Sequence, residues 1–367
     1  MDTSSQPDRT FWMSGHYGLM VHWIYPSLMP EEGERATSLD EAVDQFHLER
    51  FLHDFAATGA DWLIFTFGQN SGYYASPNAV IDRLVGPGRC SQRDLVLEIA
   101  RAVHGLGKRF IAYLPCEVAG NLALHQGFAW NTEEGTDQAE FQRRYLLAIR
   151  EWAERFGPLM DGWWFDGCYE WPIFHSRTMD WPAWFDATRA GNPDRVVAFN
   201  DGSLCNGLTQ PLTPEQDYLS GETEVLVDGR IRLGRPETPQ LLAYGALARC
   251  TPEPIPTFLP ESRFVPGTRC QWHSLLPIDC FWGHGNGYAD WLPADRYHFL
   301  DPGLTAAPME PPLYSDDELS GFLGNCLGAG GAVTMNVGIY QEGHLGVETV
   351  RQLERIRPQS APHLKRG

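Results

Sequence analysis

The chain has 367 residues, of which 43% are hydrophobic and 12% aromatic, so it can bury a large core as one big domain or two small ones. A formal net charge of -19 and a pI near 5.0 argue against nucleic acid or anionic lipid as a partner and favour a neutral or cationic ligand. No apolar run is long enough to span a bilayer, and the first ten residues lack a secretory signal pattern, so we expect a cytoplasmic protein that does not bind membranes.

Neither cysteine spacing nor any short motif indicates a cofactor. The eight cysteines include no C-x-x-C pair, so free thiols are expected rather than a zinc module or a disulfide scaffold. No His, Asp and Glu cluster has metal-ligand spacing, and both the G-x-S-x-G elbow and the Gly-rich phosphate loops are missing from the sequence. We therefore predict no cofactor, no metal and no serine nucleophile.

In the first two thirds of the chain, short apolar runs alternate with segments of helical periodicity. The apolar runs predict strands at 18–23, 61–67, 109–115, 161–167 and 196–201, with a weaker strand at 217–222. The periodic segments predict helices at 39–57, 94–104 and 138–156, each followed by a glycine that stops it.

The remaining third is less regular until its end. A Pro-rich excursion at about 226–269 is weakly periodic, with one helix predicted around 240–249. A helix is then predicted at 315–327, where Ser315 and Glu318 form a capping box. A strand at 332–338 and a closing helix at 347–356 complete the prediction.

Strands that alternate with helices predict a parallel sheet, and strands that end in polar residues favour a closed barrel over an open sheet. We therefore expect an α/β protein, a (β/α)8-like TIM barrel, as a single domain over residues 1–367. In such a barrel, the carboxyl ends of the strands form the mouth of the active site. Asp166 ends the aromatic strand Trp163-Trp164-Phe165 and is our first catalytic candidate; the alternative is a turn aspartate before Gly167.

The ordered set of motifs resembles the alpha-L-fucosidases of glycoside hydrolase family 29 over about residues 11–357. His22-Trp23 ends a strand similar to that family's F-G-I-F-I-H-W-G, and residues 164–167 are similar to its W-x-D-G nucleophile strand. Residues 334–345 are similar to L-L-N-V-G-P-x-x-D-G-x-I. The resemblance implies a catalytic barrel with Asp166 as nucleophile, and the C-terminal β-sandwich common in the family has no counterpart in this sequence.

Two departures from the family motifs bear on the site. The family's K-H-H-D-G-F, whose histidines bind fucose hydroxyls, is replaced here by a stretch in which Gln69 and Asn70 supply amides, which also donate to and accept from hydroxyls. The family's W-E acid/base segment aligns with Trp272-His273, so His273 is the predicted proton shuttle. The alternative for His273 is a loop imidazole that bonds to backbone.

Three carboxylates could take the acid/base role instead. Glu222 resembles the glutamate of the family's D-F-x-T-x-E segment, Glu117 follows the third strand, and Glu170 is better interpreted as an exposed, solvated residue. The predicted catalytic residues are thus Asp166, His273 and Glu222. The predicted substrate-binding residues are His22, Trp23, Gln69, Asn70, Tyr73, Glu117, Trp164, Trp282 and His284. Tyr73, Trp164 and Trp282 could form a stacking wall, although Trp164 suits the core equally well.

The function predicted from these residues is a retaining glycoside hydrolase or transglycosylase that acts on a small glycoside. Because both histidines of the sugar motif are replaced, an ordinary alpha-L-fucosidase is not expected. The alternatives are a catalytically inactive sugar-binding paralogue and a true alpha-L-fucosidase with a modified sugar site. The sequence does not define the oligomeric state.

Overall fold

The structure is a computed structural model that describes residues 7–169, 174, 176–202, 210–223, 225–232, 257–285 and 304–357. Its strands in chain order are β1 (Tyr17–Val21), β2 (Trp62–Thr66), β3 (Arg109–Pro115), β4 (Gly162–Asp166), β5 (Val196–Phe199), β6 (Leu226–Val227), β7 (Arg230–Arg232), β8 (Thr257–Phe258), β9 (His273–Pro277) and β10 (Ala332–Val337). Its helices are α1 (Leu39–Asp44), α2 (Leu48–Thr58), α3 (Ala79–Leu84), α4 (Leu95–Gly105), α5 (Leu122–Phe128), α6 (Ala139–Phe156), α7 (Trp181–Thr188), α8 (Asp316–Gly328) and α9 (Val347–Ile356).

Seven of these strands form one parallel sheet in the order β5-β4-β3-β2-β1-β10-β9. Residues 217–223 close the gap between the two edge strands. On one side, the N–H of Asp217 donates to the carbonyl of Val197 on β5; on the other, the N–H of Leu275 on β9 donates to Gly221. The ring therefore contains eight parallel segments, as the predicted (β/α)8-like barrel requires.

The barrel interior is filled by the side chains that point inward from the strands. Met20, Ile64, Ile111, Trp164 and Leu275, from β1, β2, β3, β4 and β9, belong to this inner cluster and are buried. The larger cluster lies between the outer face of the sheet and the helices. Because both faces are covered, the strands are continuous apolar runs rather than alternating ones, which is why the strands of this sheet other than β9 were predicted from the sequence.

Most of the predicted elements are confirmed within one or two residues, including α4, α6, β10 and α9. The capping box of α8 is present as predicted, with Ser315 and Glu318 bonded reciprocally. The short helices α3, α5 and α7 were not predicted. The helix predicted at 240–249 lies outside the described residues, and the described parts of the excursion form a small antiparallel sheet of β6, β7 and β8.

The single helix predicted at 39–57 is wrong, because the chain forms α1 and α2 with a break at residues 45–47. The N–H of His47 donates to the carbonyl of Glu342 instead of to a carbonyl within a continuous helix. Phe46, inside the break, packs its ring against Trp23, Phe51 and Phe65. Tertiary contacts at this point override the local helical periodicity. Of the helices in the described ranges, none has both the length and the apolar character needed to cross a membrane.

Candidate active site

A cavity of about 630 Å³ opens at the carboxyl end of the barrel strands. Parallel strands place all their carboxyl ends at one rim, so residues distant in sequence meet there. Among the described residues, its polar lining comprises His22, Ser27, Gln69, Asn70, Asp166, Tyr169, Asn200, Glu222 and His284. Its apolar lining comprises Ile24, Leu28, Met29, Trp164, Leu275, Phe281, Trp282 and Ile339, next to Gly283 and Gly285. The cavity is large enough for a small organic ligand.

Asp166 is the last residue of β4, at the position predicted from the sequence. Its Oδ1 accepts three hydrogen bonds, from the N–H of Gly167 at 2.8 Å, the hydroxyl of Tyr169 at 3.0 Å and the amide of Asn200 at 2.9 Å. Its Oδ2 accepts one, from the hydroxyl of Tyr113 at 2.5 Å. These four donors fix the orientation of the carboxyl group, and Oδ2, with one donor, has more capacity left to contact a ligand than Oδ1.

Glu222 lies across from Asp166, near the end of the segment that closes the barrel. The amide nitrogen of Asn200 that donates to Oδ1 of Asp166 also donates to Oε2 of Glu222, at 2.8 Å. Because both oxygens lie within hydrogen-bond distance of one nitrogen, they are at most about 6 Å apart, and the two carboxyl groups of retaining glycosidases are typically about 5–5.5 Å apart. Asn200 therefore fixes the separation of two predicted catalytic carboxylates.

The hydroxyl of Tyr113 is itself held from the other side, because the amide of Gln69 donates to it at 2.7 Å. Burial raises the pKa of Tyr113 well above its usual value, as do the charge and hydrogen bond of Asp166, so the phenol stays protonated. Gln69, Tyr113 and Asp166 thus form a chain of donors that ends on Oδ2 of Asp166. Asn70, next to Gln69, lines the cavity as predicted.

Glu117 is buried directly behind the turn that follows Asp166, and it does not line the cavity. A Cβ atom at Gly167 would lie 2.9 Å from its Cγ, and its Oε2 accepts the N–H of Ala119. Burial raises the pKa of Glu117 to about 7; the Ala119 bond opposes this increase and the charge of Asp166 adds to it. The substrate contact predicted for Glu117 is therefore corrected to a role behind the site.

His273 is the one predicted catalytic residue that the structure places outside the cavity. It is the first residue of β9, at the end of the barrel opposite Asp166, and it is fully buried. Its Nδ1 donates to the carbonyls of Leu219 and Ser220 at 2.9 and 3.2 Å, and its Nε2 accepts from Thr334 at 2.7 Å. Burial lowers the pKa of His273 to about 4, so the ring is neutral near pH 7 and cannot act as an acid.

Two predicted sugar contacts are also corrected. Trp23 is buried between Phe46 and Phe65, and its indole N–H donates to the carbonyl of Gln341 at 3.0 Å. Tyr73 packs edge-on against Tyr25 with Arg89 over its ring, and it does not line the cavity. Both residues follow strand ends, but their side chains turn towards the outer helices and loops rather than into the mouth.

The remaining predicted contacts line the cavity. Trp164 is both a core and a wall residue, since it stacks on Tyr113 with ring centroids 5.4 Å apart and also reaches the cavity. Trp282 lies beside His22, with ring centroids 5.7 Å apart. His284 is held by Glu310, whose carboxylate lies 2.6 Å from its Nδ1, and by the carbonyl of Ala307.

Sequence reasoning missed Tyr113, Tyr169, Asn200 and Asn336, which support the predicted residues. Tyr113 lies inside an apolar strand and is indistinguishable there from a core residue. Asn200 directly follows β5, so its place at a strand end was a usable signal. Within the described ranges, no three side chains of His, Cys, Asp or Glu converge as a metal site would require.

Comparison with known proteins supports the fold. No protein-family model matches the chain, and no curated protein matches its sequence. Among solved structures, the family 107 endo-fucoidan hydrolase MfFcnA9 has a TM-score of 0.59 and 17% identity over 94% of this chain and 62% of its own. For the family 107 endo-fucoidan hydrolase P5AFcnA, the TM-score is 0.58 with 14% identity over 95% and 92% of the two chains.

A putative alpha-L-fucosidase from Bacteroides ovatus has a TM-score of 0.56 and 14% identity over 96% of this chain and 54% of its own. This chain thus spans less than two thirds of the first fucoidan hydrolase and about half of this fucosidase. At such low identity, the likeness establishes architecture and not chemistry. The fold of this protein is that of alpha-L-fucosidase-like glycoside hydrolases, as the sequence motifs predicted.

Proposed function

We propose that this protein is a retaining glycoside hydrolase or transglycosylase that acts on a small glycoside, with Asp166 as nucleophile and Glu222 as acid/base. The observation that carries this proposal is the single amide nitrogen of Asn200 bonded to both carboxylates at the mouth of the barrel. The glycoside hydrolases that share the fold support the same reaction class.

In the first step, Oδ2 of Asp166 attacks the anomeric carbon, because Oδ1 is already engaged by three donors. The bond from that carbon to the leaving oxygen breaks as Glu222 transfers its proton to that oxygen. In the second step, ionised Glu222 takes a proton from water or an acceptor hydroxyl, which attacks the anomeric carbon. The bond to Asp166 then breaks, and both carboxyl groups return to their initial states.

The sugar is proposed to differ from that of an ordinary alpha-L-fucosidase. The amide nitrogen of Gln69 already donates to the hydroxyl of Tyr113, which in turn donates to Asp166. Asn70, which also lines the cavity, is therefore the amide more available to bind a sugar hydroxyl. A panel of nitrophenyl glycosides that includes the alpha-L-fucoside identifies the preferred sugar. Preference for the alpha-L-fucoside would instead indicate a fucosidase with a modified sugar site.

The test of the mechanism uses Asp166→Asn on the best substrate of that panel, with Asp82→Asn on the exposed side of α3 as the control. We expect Asp166→Asn to abolish turnover and Asp82→Asn to retain it. Proton NMR of the first-formed product should show the anomeric configuration of the substrate. Inversion would contradict the retaining mechanism, and tight sugar binding without turnover of any glycoside would identify a binding protein instead.

A further inference from the structure

Asn336 links two walls of the cavity through one side chain. It lies on β10 and is fully buried. Its Oδ1 is 2.8 Å from Nδ1 of His22, and its Nδ2 donates to the carbonyl of Trp282 at 3.0 Å. His22 and Trp282 both line the cavity, whereas Asn336 does not. Asn336 therefore acts on a ligand only through these two neighbours.

The orientation of this amide is fixed by chemistry. A backbone carbonyl can only accept a hydrogen bond, so the amide nitrogen must be the atom that faces Trp282. The amide oxygen then faces His22, and since that oxygen also only accepts, Nδ1 of His22 must carry a hydrogen. The pair of contacts thus determines which ring nitrogen is protonated.

The other ring nitrogen then carries a lone pair. Burial lowers the pKa of His22. The hydrogen bond to Asn336, the charge of Asp166 and the Trp282 carbonyl raise the pKa by a smaller amount, so the ring is neutral near pH 7. The remaining contacts of the ring are aromatic, with Tyr113 at 5.3 Å and Trp282 at 5.7 Å between centroids. Within the described part of the chain, Nε2 has no hydrogen-bond partner, and the half-buried ring lines the cavity.

Trp282 needs the same support for a different reason. Its backbone has φ of 65°, a left-handed conformation that is costly for a bulky residue. The bond from Asn336 holds its carbonyl and so helps to keep the indole against the ring of His22. Loss of Asn336 would free both side chains at once.

We propose that Asn336 is a positioning residue that holds His22 as the Nδ1–H tautomer, so that Nε2 accepts a hydrogen bond from a free hydroxyl of the sugar. The identity of the ligand as a sugar rests on the proposed function, whereas the tautomer of His22 follows from the contacts of Asn336 alone. A hydroxyl that is methylated, sulfated or removed has no hydrogen to donate. The site should therefore prefer a sugar with an unmodified hydroxyl at this position by roughly 10- to 100-fold in kcat/KM, because the buried acceptor is otherwise left without a partner.

The direct test is nitrogen NMR of the histidine rings, which needs no turnover. His22→Gln identifies the His22 signals by their disappearance. At pH 7, the wild-type protein should show a protonated Nδ1 and an unprotonated Nε2. In Asn336→Asp, the new carboxylate faces Nδ1 and should raise the pKa of His22, so the signals at pH 7 should shift towards the doubly protonated ring. The control is Asn78→Asp, a buried asparagine that caps α3 away from the cavity.

A wild-type protein with Nε2–H and an unprotonated Nδ1 overturns the proposal, even if the aspartate variant fails to fold. Unchanged His22 signals in a folded Asn336→Asp protein also overturn it. Once a substrate is identified, kcat/KM of the wild-type protein is measured for analogues in which one hydroxyl at a time is removed or O-methylated. We expect the largest fall in kcat/KM at one hydroxyl position. His22→Gln should reduce that discrimination. If the enzyme turns over glycosides but no single hydroxyl position is discriminated, the inference about Asn336 is overturned and the proposed function stands. If NMR shows the expected tautomer but no glycoside is turned over, only the proposed function is overturned.

Discussion

Asp166 and Glu222 are bonded to the same amide nitrogen, that of Asn200, at 2.9 and 2.8 Å. Asp166 accepts hydrogen bonds from four donors, which fix the orientation of its carboxyl group. This arrangement supports the proposed division of roles, in which Asp166 is the nucleophile and Glu222 is the acid/base.

The first prediction concerns Glu222→Gln. An amide cannot transfer a proton to the leaving oxygen, so poor leaving groups such as alkoxides should depart roughly 10²-fold more slowly or worse. Dinitrophenolate departs without assistance, so its release in the first step should change little. The measurement is the rate of the first-turnover burst for both substrate classes, with Glu154→Gln on the exposed side of α6 as the control. Equal losses for both leaving groups would remove Glu222 from the acid role.

The second prediction concerns His273, whose pKa is lowered to about 4 from 6.5 by burial. The unfolded chain therefore binds the proton more readily than the native state, and the contribution of His273 to stability is lost as the pH falls from 6.5 towards 4. Between pH 7 and pH 5, the loss should be about 2 kcal/mol in the free energy of unfolding, and His273→Gln should lack it.

The measurement for His273 is urea unfolding of both proteins at the two pH values. In kinetics, His273→Gln should slow good and poor leaving groups by the same factor, because the ring does not reach the cavity. A selective loss with poor leaving groups would restore His273 as proton shuttle.

The position of Asp166 could be predicted because it depends on local pattern. A strand that is buried on both faces is a continuous apolar run, and the first polar residue after it lies at the barrel mouth. His22, Gln69 and Asn70 reach the cavity by the same logic. Glu222 also lines the cavity, although its segment lacks regular strand structure and pairs with β9 through isolated bridges.

The errors arose where side-chain direction or strand polarity decides the outcome. His273 precedes Leu275 and Leu276, so it begins its strand, and in a parallel barrel a strand's first residue lies at the end opposite the active site. That order is visible in the sequence, whereas the family resemblance places His273 at the acid/base position. Trp23 follows His22 directly, yet its ring points towards Phe46 and Phe65, a choice set by packing that no local pattern encodes.

The third prediction uses Glu117, whose pKa is raised from 4.5 to about 7 chiefly by burial. The native state here binds the proton more tightly than the unfolded chain, so stability falls as the pH rises from about 4.5 through 7 and levels off above it. Between pH 5 and pH 8, the free energy of unfolding of the wild-type protein should fall by about 2–3 kcal/mol more than that of Glu117→Gln. The glutamine keeps an acceptor for the N–H of Ala119 but carries no charge. Denaturant unfolding of both proteins across this range measures the difference, and parallel curves would show that Glu117 does not titrate there.

The last prediction concerns Gly221, the residue before Glu222. It has φ of 80°, and a Cβ there would lie 2.5 Å from the carbonyl oxygen of His273, which is backbone and cannot move aside easily. Gly107, at the end of α4, has a similar φ of 71° but open space around its Cβ position. Gly107→Ala should therefore lower the free energy of unfolding by only about 1–2 kcal/mol, the cost of a left-handed backbone for alanine. Gly221→Ala adds a steric clash and should lower it by about 3 kcal/mol or more.

The two alanine variants should also differ in activity. Relief of the clash at Gly221 requires the closing segment to shift away from β9, and Glu222 moves with it from the bond to Asn200. We expect Gly221→Ala to lower kcat/KM by about 10²-fold, the loss typical for a misplaced catalytic group, and Gly107→Ala to leave it unchanged. Denaturant unfolding and kinetics on the same preparations measure both effects. If Gly221→Ala were no less stable and no less active than Gly107→Ala, the close packing of this segment against β9 would not be what positions Glu222.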